Sequence, residues 1–318
     1  MSKLRSEKEI ISSWSSPSGK VVASVWCVTF NHRDFVEDAI RGVLSQETDF
    51  PIELIIHDDA STDGTQVVIK KYQQQYPNII KPILQAENQH SQGKWVPFEY
   101  IYPRSNGDFI AWCEGDDYWI STNKLQSQVS YMVKNSGVTL TFHRAQIVNR
   151  KKKKVGETIT FRPYEKFDTE TIVKNWFIST QTMVLDKRVC EGMQHHFVGV
   201  INGDWAFQLA ASFHGDVVYL PNLNAAYRKH ANSLSRSIIG TNKTYRAMKQ
   251  IKLFTGFDYY SGFQHSILIE EKIKFLLLEH HHLLLDLKAR RWGYIFTPVR
   301  LARKLFNKFK NWRSANEI

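Results

Sequence analysis

The sequence predicts an α/β fold, with a mostly parallel central sheet, helices on both faces and a helical extension after the sheet. Three observations predict it. From Val21 onward, short apolar runs alternate with amphipathic segments; turn-forming residues punctuate them; and beyond Ser237 strand-like alternation gives way to helical spacing. A chain of 318 residues with 42% hydrophobic content is also long enough to bury a substantial core.

The elements follow in order. "VVASVWCVTF" reads as a buried strand, and in "DFVEDAIRGVLSQ" the residues Phe35, Val36, Ala39, Ile40, Val43 and Leu44 share one helical face. "IELIIHDD" is a second strand, and "GTQVVIKKYQQQY" a second helix that Pro77 helps to end. "IIKPILQ" and "DFIAWCE" are further strands, and "STNKLQSQVSYMVKNSG" is a helix ending at Gly137. A hairpin follows, with arms "VTLTFHRAQIVN" and "ETITFR" around "RKKKKVG", whose lysines Lys151 to Lys154 read most simply as a solvated tip. "GDWAFQLAASFHG" is helical from about Asp204, and "VVYLPNLNAAYRKHANSLS" is a strand running into a polar loop with Arg228 and His230. The expected organisation is a polar lead over 1–20, a sheet domain over 21–235 and a helical region over 236–318.

Composition narrows the function. The formal net charge is +11 and the pI about 9.4, which favours acidic partners such as nucleic acid, anionic lipid or phosphorylated substrates. Cys27, Cys113 and Cys190 lie far apart in apolar or helical settings, without metal-type spacing, and read as reduced thiols of a cytosolic protein. The first twenty residues hold no uninterrupted apolar stretch of the secretory kind, and no run approaches the roughly 20 apolar residues that span a bilayer. The expectation is a soluble or peripheral, cytoplasmic protein.

Against this basic background, "FIAWCEGDDYW" carries Glu114, Asp116 and Asp117 within four positions. Such carboxylates repel one another unless a cation or cation-bearing ligand sits among them. Asp58 and Asp59 close the second strand as Asp116 and Asp117 close the fourth, and ligands of parallel sheets sit beyond those carboxyl ends. In an extended segment Asp116 and Asp117 project to opposite sides and can serve different parts of one ligand. Turn residues or helix caps are the alternative reading of both pairs.

"VWCVTFNHRDFVEDAIRGVLSQ", "IELIIHDDASTDGT", "GDFIAWCEGDDYW", "INGDWAFQLA" and "AAYRKHANSLS", in that order, resemble the family 2 glycosyltransferases of the GT-A fold, a Rossmann-like architecture, over about Val21 to Ser235. The resemblance implies an inverting, non-processive enzyme using a nucleotide-sugar donor, with UDP favoured, and a glycan or lipid-linked glycan acceptor in cell-surface polysaccharide assembly. It implies that Val28, Thr29, Phe30 and Asn31 hold the donor's base and ribose, and that Asp59 accepts a hydrogen bond from the uracil. Asp116 would face ribose or metal, Asp117 would bind Mn²⁺ or Mg²⁺ on the diphosphate, and Arg228 and His230 would stand near diphosphate or metal. Asp204 matches the general base, ionised at neutral pH from an ordinary value of about 3.9; helix N-capping is its structural alternative. Phe30 replaces a tyrosine common in the family, and Glu114 stands where many relatives have aspartate. "KARRW" ends like a motif of the processive members but begins with Lys288 and lies far beyond Asp204.

"TPVRLARKLFNKFKNW" has Thr297 as N-cap, an apolar face of Val299, Ala302, Leu305, Phe306 and Phe309, and a basic face of Arg300, Arg303, Lys304 and Lys308. It fits an anionic membrane surface, with a helix docked on the protein's own core as the alternative reading. His280 to His282 would point in different directions on a helix and read as helix surface, not as a metal site. Two other function classes account for part of the pattern. A nucleotidyltransferase would also place acidic pairs at strand ends, but no Gly-rich, lysine-bearing phosphate loop is present. A nucleic-acid-binding protein would explain the charge, but the basic residues cluster in the hairpin tip and tail while the strand ends are acidic, so no nucleic-acid partner is expected.

Overall fold

The structure, a computed structural model, describes residues 3–15, 19–197, 199–200, 203–230 and 243–279. The basic segment from Thr297, the His280 to His282 run and "KARRW" lie outside them. Ten strands form one mixed sheet. Strands β1 (Ala23–Thr29), β2 (Ile52–Asp58), β3 (Ile80–Leu84) and β4 (Phe109–Trp112) pair in parallel in the order β3-β2-β1-β4. Helices α2 (Val36–Leu44) and α3 (Thr65–Gln75) make the crossovers. Every residue of β2 is buried, which is why that strand reads as a near-continuous apolar run instead of alternating.

Alternation within β1 sorts side chains to the two faces. Val25 and Cys27 pack with α2 and α3, while Trp26 enters a second core with Trp112 and Phe207. All three cysteines are buried free thiols. The polar lead contains a short helix that sequence periodicity did not announce, α1 (Glu7–Ser12), closed by a Ser6/Glu9 capping box and anchored by the buried Ile10.

Beyond β4 the sheet continues through β9 (Val184–Asp186), β6 (Val138–Asn149), β10 (Asp216–Lys229) and the two-residue β5 (Tyr118–Trp119). Strand β9 is antiparallel to both its neighbours, whereas β10 runs parallel to β6. The short β8 (Lys166–Phe167) pairs with β10. Helix α4 (Lys124–Lys134) covers one face; α5 (Thr169–Lys174), α6 (Met193–His196) and α7 (Gly203–His214) belong to the other.

Two local expectations need correction. Strand β10 runs on through Arg228 where a polar loop was expected, because register shifts around Leu220, Leu223 and Ala225 absorb Pro221. The hairpin's second arm, β7 (Lys154–Glu157), starts and ends earlier than expected, and its tip is not simply solvated. Lys152 Nζ lies 2.6 Å from Asp38 Oδ1, and Arg150 reaches Asp34 at 2.5 Å, so the tip rests on the start of α2. The described residues after Ser237 form two helices, α8 (Lys243–Tyr260) and α9 (Ser266–Glu279), which share the Trp26 core through Phe254, Phe257, Ile269 and Ile273. No described helix is long and apolar enough to cross a membrane.

Candidate active site

The site forms where β1, β2, β4 and β10 end. After β4 the chain turns sharply, with the Asp117 N–H donating to the Glu114 carbonyl at 3.0 Å and the Gly115 N–H donating to the Val28 carbonyl at 3.0 Å. A Cβ on Gly115 would stand 2.5 Å from Thr29 Oγ1, so only glycine lets this turn press against the end of β1. The expectation that Asp116 and Asp117 diverge because the segment is extended is therefore corrected: they diverge because the segment is a turn.

Asp116 joins two histidines. Its Oδ2 lies 2.9 Å from His230 Nε2 and 3.9 Å from His32 Nε2, and ligating atoms of all three residues fall within 4.8 Å of one another. Although burial opposes it, the hydrogen bond from His230 and the charges of both rings hold the Asp116 carboxyl below its ordinary value. Burial pulls His32 down, against the pull of Asp116, and its Nδ1 is enclosed without a hydrogen-bond partner.

Asp117 stands outside that cluster. One oxygen accepts the Arg228 backbone N–H at 2.7 Å, and the other is buried without a partner. Burial, then the charges of Asp116 and Glu114, push its carboxyl well above the usual range. Arg228 is 1% exposed and its guanidinium is committed to protein: to Asp38 Oδ2 at 2.7 Å, to the Asp116 carbonyl at 2.8 Å and to the Arg150 carbonyl. The rings of Phe35 and Tyr118 flank it, 4.7 and 5.1 Å away. It braces the acidic turn from behind.

The second acidic pair is differently employed. Asp58 accepts from Ser61 N–H, Ser61 Oγ and Gln66, closing the turn after β2. Asp59 accepts the backbone N–H groups of Gln89 and His90 at 2.7 and 3.1 Å, tying the 86–93 loop to the strand end. At the end of β1, Thr29 is buried with an unpartnered hydroxyl, Phe30 is 45% exposed, and Asn31 adopts a φ of 55° while accepting the Thr62 N–H. Asn31, Phe35, Thr62, Asp63, Arg150 and His230 are among the residues that line an open cleft of about 520 Å³.

Asp204 enters from the first turn of α7. The indole Nε1 of Trp176 donates to its Oδ2 at 3.1 Å. Burial pushes the Asp204 carboxyl up to about 6, against the hydrogen bonds from Trp176 and Thr180. Glu114 faces the same space: burial, then the charges of Asp116 and Asp204, push it up to about 8. The fold thus brings Asp116, His230, Glu114 and Asp204 into one electrostatic neighbourhood, and keeps Asp117 and Arg228 behind it. His32 and Trp176 were missed by sequence reasoning. His32 follows a quoted strand end and carried no spacing signal, whereas Trp176 lies in a loop with none.

Known proteins resemble the chain over this same core. It spans about 60% of the length of mycobacterial relatives with which it shares 29% identity. It is 26% identical to the UDP-Glc:α-D-GlcNAc-diphosphoundecaprenol β-1,3-glucosyltransferase WfaP of Escherichia coli, over 67% of this chain and 80% of that enzyme. Among solved structures, S. aureus TarS in complex with UDP-GlcNAc superposes with a TM-score of 0.62 at 14% identity, covering 81% of this chain and 72% of the other. The mannosyltransferase PcManGT of Pyrobaculum calidifontis, in complex with GDP-Man and Mn²⁺, gives 0.55 at 14% identity, covering 97% and 88%. Both bear on fold, which is GT-A. The family model for glycosyl transferase family 2 matches residues 24–192, more than half the chain, from β1 through the acidic turn to β9. The match takes in the strand ends that carry Asp59, Asp116 and Asp117, and the chain belongs to glycosyl transferase family 2.

Proposed function

We propose that this glycosyltransferase moves a hexosyl or N-acetylhexosaminyl unit from a UDP-sugar to a hydroxyl of a lipid-linked glycan, with inversion, in cell-surface polysaccharide assembly. The observation that carries the reading is the convergence of His32, Asp116 and His230, with Glu114 beside them feeling the charges of both Asp116 and Asp204. The names of WfaP and TarS favour uridine donors, and that of WfaP favours a diphosphate-lipid acceptor.

Two imidazoles and one carboxylate fit a divalent cation, and the donor set suits Mn²⁺ better than Mg²⁺, which prefers oxygen ligands. His230 Nε2 and Asp116 Oδ2, 2.9 Å apart, would both hold such a cation, with His32 as the third ligand. When bound, it supplies positive charge to the departing diphosphate. Asp117, with its unpartnered oxygen, and Arg228 then support the turn that presents Asp116. Thr29, Phe30 and Asn31 border the nucleoside, and Asp59 serves the uracil if the 86–93 loop shares its carboxylate.

Asp204 takes the proton from the acceptor hydroxyl as that oxygen bonds to the anomeric carbon. The bond from that carbon to the phosphate oxygen breaks on the opposite face, and its electron pair leaves with the nucleoside diphosphate. The segment from Thr297 to Trp312 would hold the enzyme on the anionic cytoplasmic membrane surface where such an acceptor resides. A chain ending before Thr297 should lose flotation with anionic vesicles.

The deciding experiment is calorimetric titration of UDP, GDP and CMP with and without Mn²⁺. Mn²⁺-dependent binding of UDP is expected, and no binding of any nucleotide would overturn the reading. Asp204→Asn should lower kcat by about 10²- to 10⁴-fold while retaining UDP binding; normal turnover would remove Asp204 as the base.

A further inference from the structure

Trp176 is a large aromatic residue left 47% exposed in the loop after α5, although its ring is well organised. One face stacks on Trp205, with ring centroids 5.7 Å apart and planes within 9°. Trp205 is itself fixed, 3% exposed, with its indole N–H on the Ile172 carbonyl at 2.9 Å and its edge against Phe254. The indole of Trp176 is therefore held flat by a rigid partner, its Nε1–H points at Asp204 Oδ2, and much of the ring remains at the surface.

We propose that Trp176 is the platform for the acceptor sugar and the positioning residue for Asp204, so that one side chain sets both the plane of the acceptor ring and the direction of the carboxylate that deprotonates it. The inference rests on the reading of Asp204 as the base. The C–H groups of a pyranose face carry partial positive charge and pack on the negative face of an aromatic ring. The indole N–H leaves the other Asp204 oxygen to accept the acceptor's proton. The acceptor class is a pyranoside that presents a C–H face beside its reacting hydroxyl.

Among the described residues, several groups bear on Asp204, the Trp205 backbone N–H included. Glu114 approaches from the turn after β4, the Thr180 hydroxyl from the turn before β9, and Trp176 from the loop after α5. Lys272 of α9 lies 5.7 Å from the Trp205 ring. Of these, Trp176 and Thr180 favour the ionised carboxylate, against the burial that opposes it.

The test separates the two roles and does not depend on turnover. In the full-length protein labelled with ¹³Cγ-aspartate, the Asp204 resonance is assigned by its loss in Asp204→Asn, and its titration is followed by NMR. Trp176→Phe keeps the ring and removes the donor, so the midpoint should rise by roughly half a pH unit to one unit. In parallel, binding of a water-soluble probe, GlcNAc-α-diphosphate-undecyl, is measured in the presence of UDP. The wild-type protein should bind it, Trp176→Phe should stay within about threefold, and Trp176→Ala should bind at least about tenfold more weakly. Thermal unfolding of both variants guards against a folding defect, with Trp176→Phe preserving the stacked bulk. An unchanged Asp204 midpoint in Trp176→Phe, no binding of the probe to wild type, or equal binding by Trp176→Ala would overturn the proposal. The base assignment fails separately, if Asp204→Asn turns over normally.

Discussion

The two acidic pairs look alike in sequence, yet the end of β2 and the turn after β4 employ them in opposite ways. At β2 each aspartate is met by protein donors: Asp58 by Ser61 and Gln66, Asp59 by the Gln89 and His90 amides. At β4 the supply is incomplete, because Asp117 keeps a buried oxygen without a partner and Asp116 turns toward two imidazoles. A carboxylate whose lone pairs are filled by backbone N–H groups holds loops together. A cluster with unfilled capacity still has lone pairs to offer, which is what the proposed cation needs.

That contrast can be broken by mutation, starting where the most is at stake. Arg228→Met removes the buried cation that binds Asp38 and the carbonyls of Asp116 and Arg150, and should cost about 3 kcal/mol in urea unfolding, at the lower end for broken buried pairs because Lys152 still reaches Asp38. A loss within error would show that the acidic turn stands without its brace. Asp116→Asn should weaken Mn²⁺ binding, titrated in the presence of UDP, by more than about 100-fold, beyond the effect usual for groups that only orient a ligand. Unchanged Mn²⁺ affinity would make the two pairs equivalent after all.

The next variant sharpens the other side of the comparison. Asp58→Asn should destabilise the protein by about 1–3 kcal/mol through unsatisfied turn donors, with no change in cation response. A lost cation response in that variant would place β2 in the metal centre. The smallest effect concerns pH. With the Asp204 carboxyl near 6, the ionised base is lost as pH falls through that value, so kcat/KM at pH 5 should be about tenfold below its plateau. A profile flat down to pH 4.5 would mean that another group takes the proton.

Much of this was legible in the sequence wherever periodicity and burial coincide. The apolar runs of β1, β2 and β4 and the stripe of α2 are each recorded in one contiguous segment, as is the start of α7 at Asp204. What was hidden depends on segments distant in the chain. The employment of Asp117 is decided by the Arg228 amide, 111 positions later. A usable signal for Arg228 did exist, since it shares strand parity with the buried Asn224, Ala226 and His230, which places them on one face. Nothing comparable marked His32, whose role requires β1, β4 and β10 to end together, or Trp176, which gains meaning only when α7 brings Asp204 beside it.

Asp38 holds Arg228 in the interior with one oxygen and Lys152 at the hairpin tip with the other. Dissolved salt acts unequally on these bonds, since a Debye length of about 8 Å at physiological ionic strength shrinks to about 3 Å at 1 M and weakens chiefly the solvent-facing pair. Raising potassium chloride should therefore free the hairpin tip, and with it the Arg150 edge of the cleft, while the interior arginine stays seated. The enzyme's mouth would then respond to ionic strength as a separate, reversible variable from the stability of the fold.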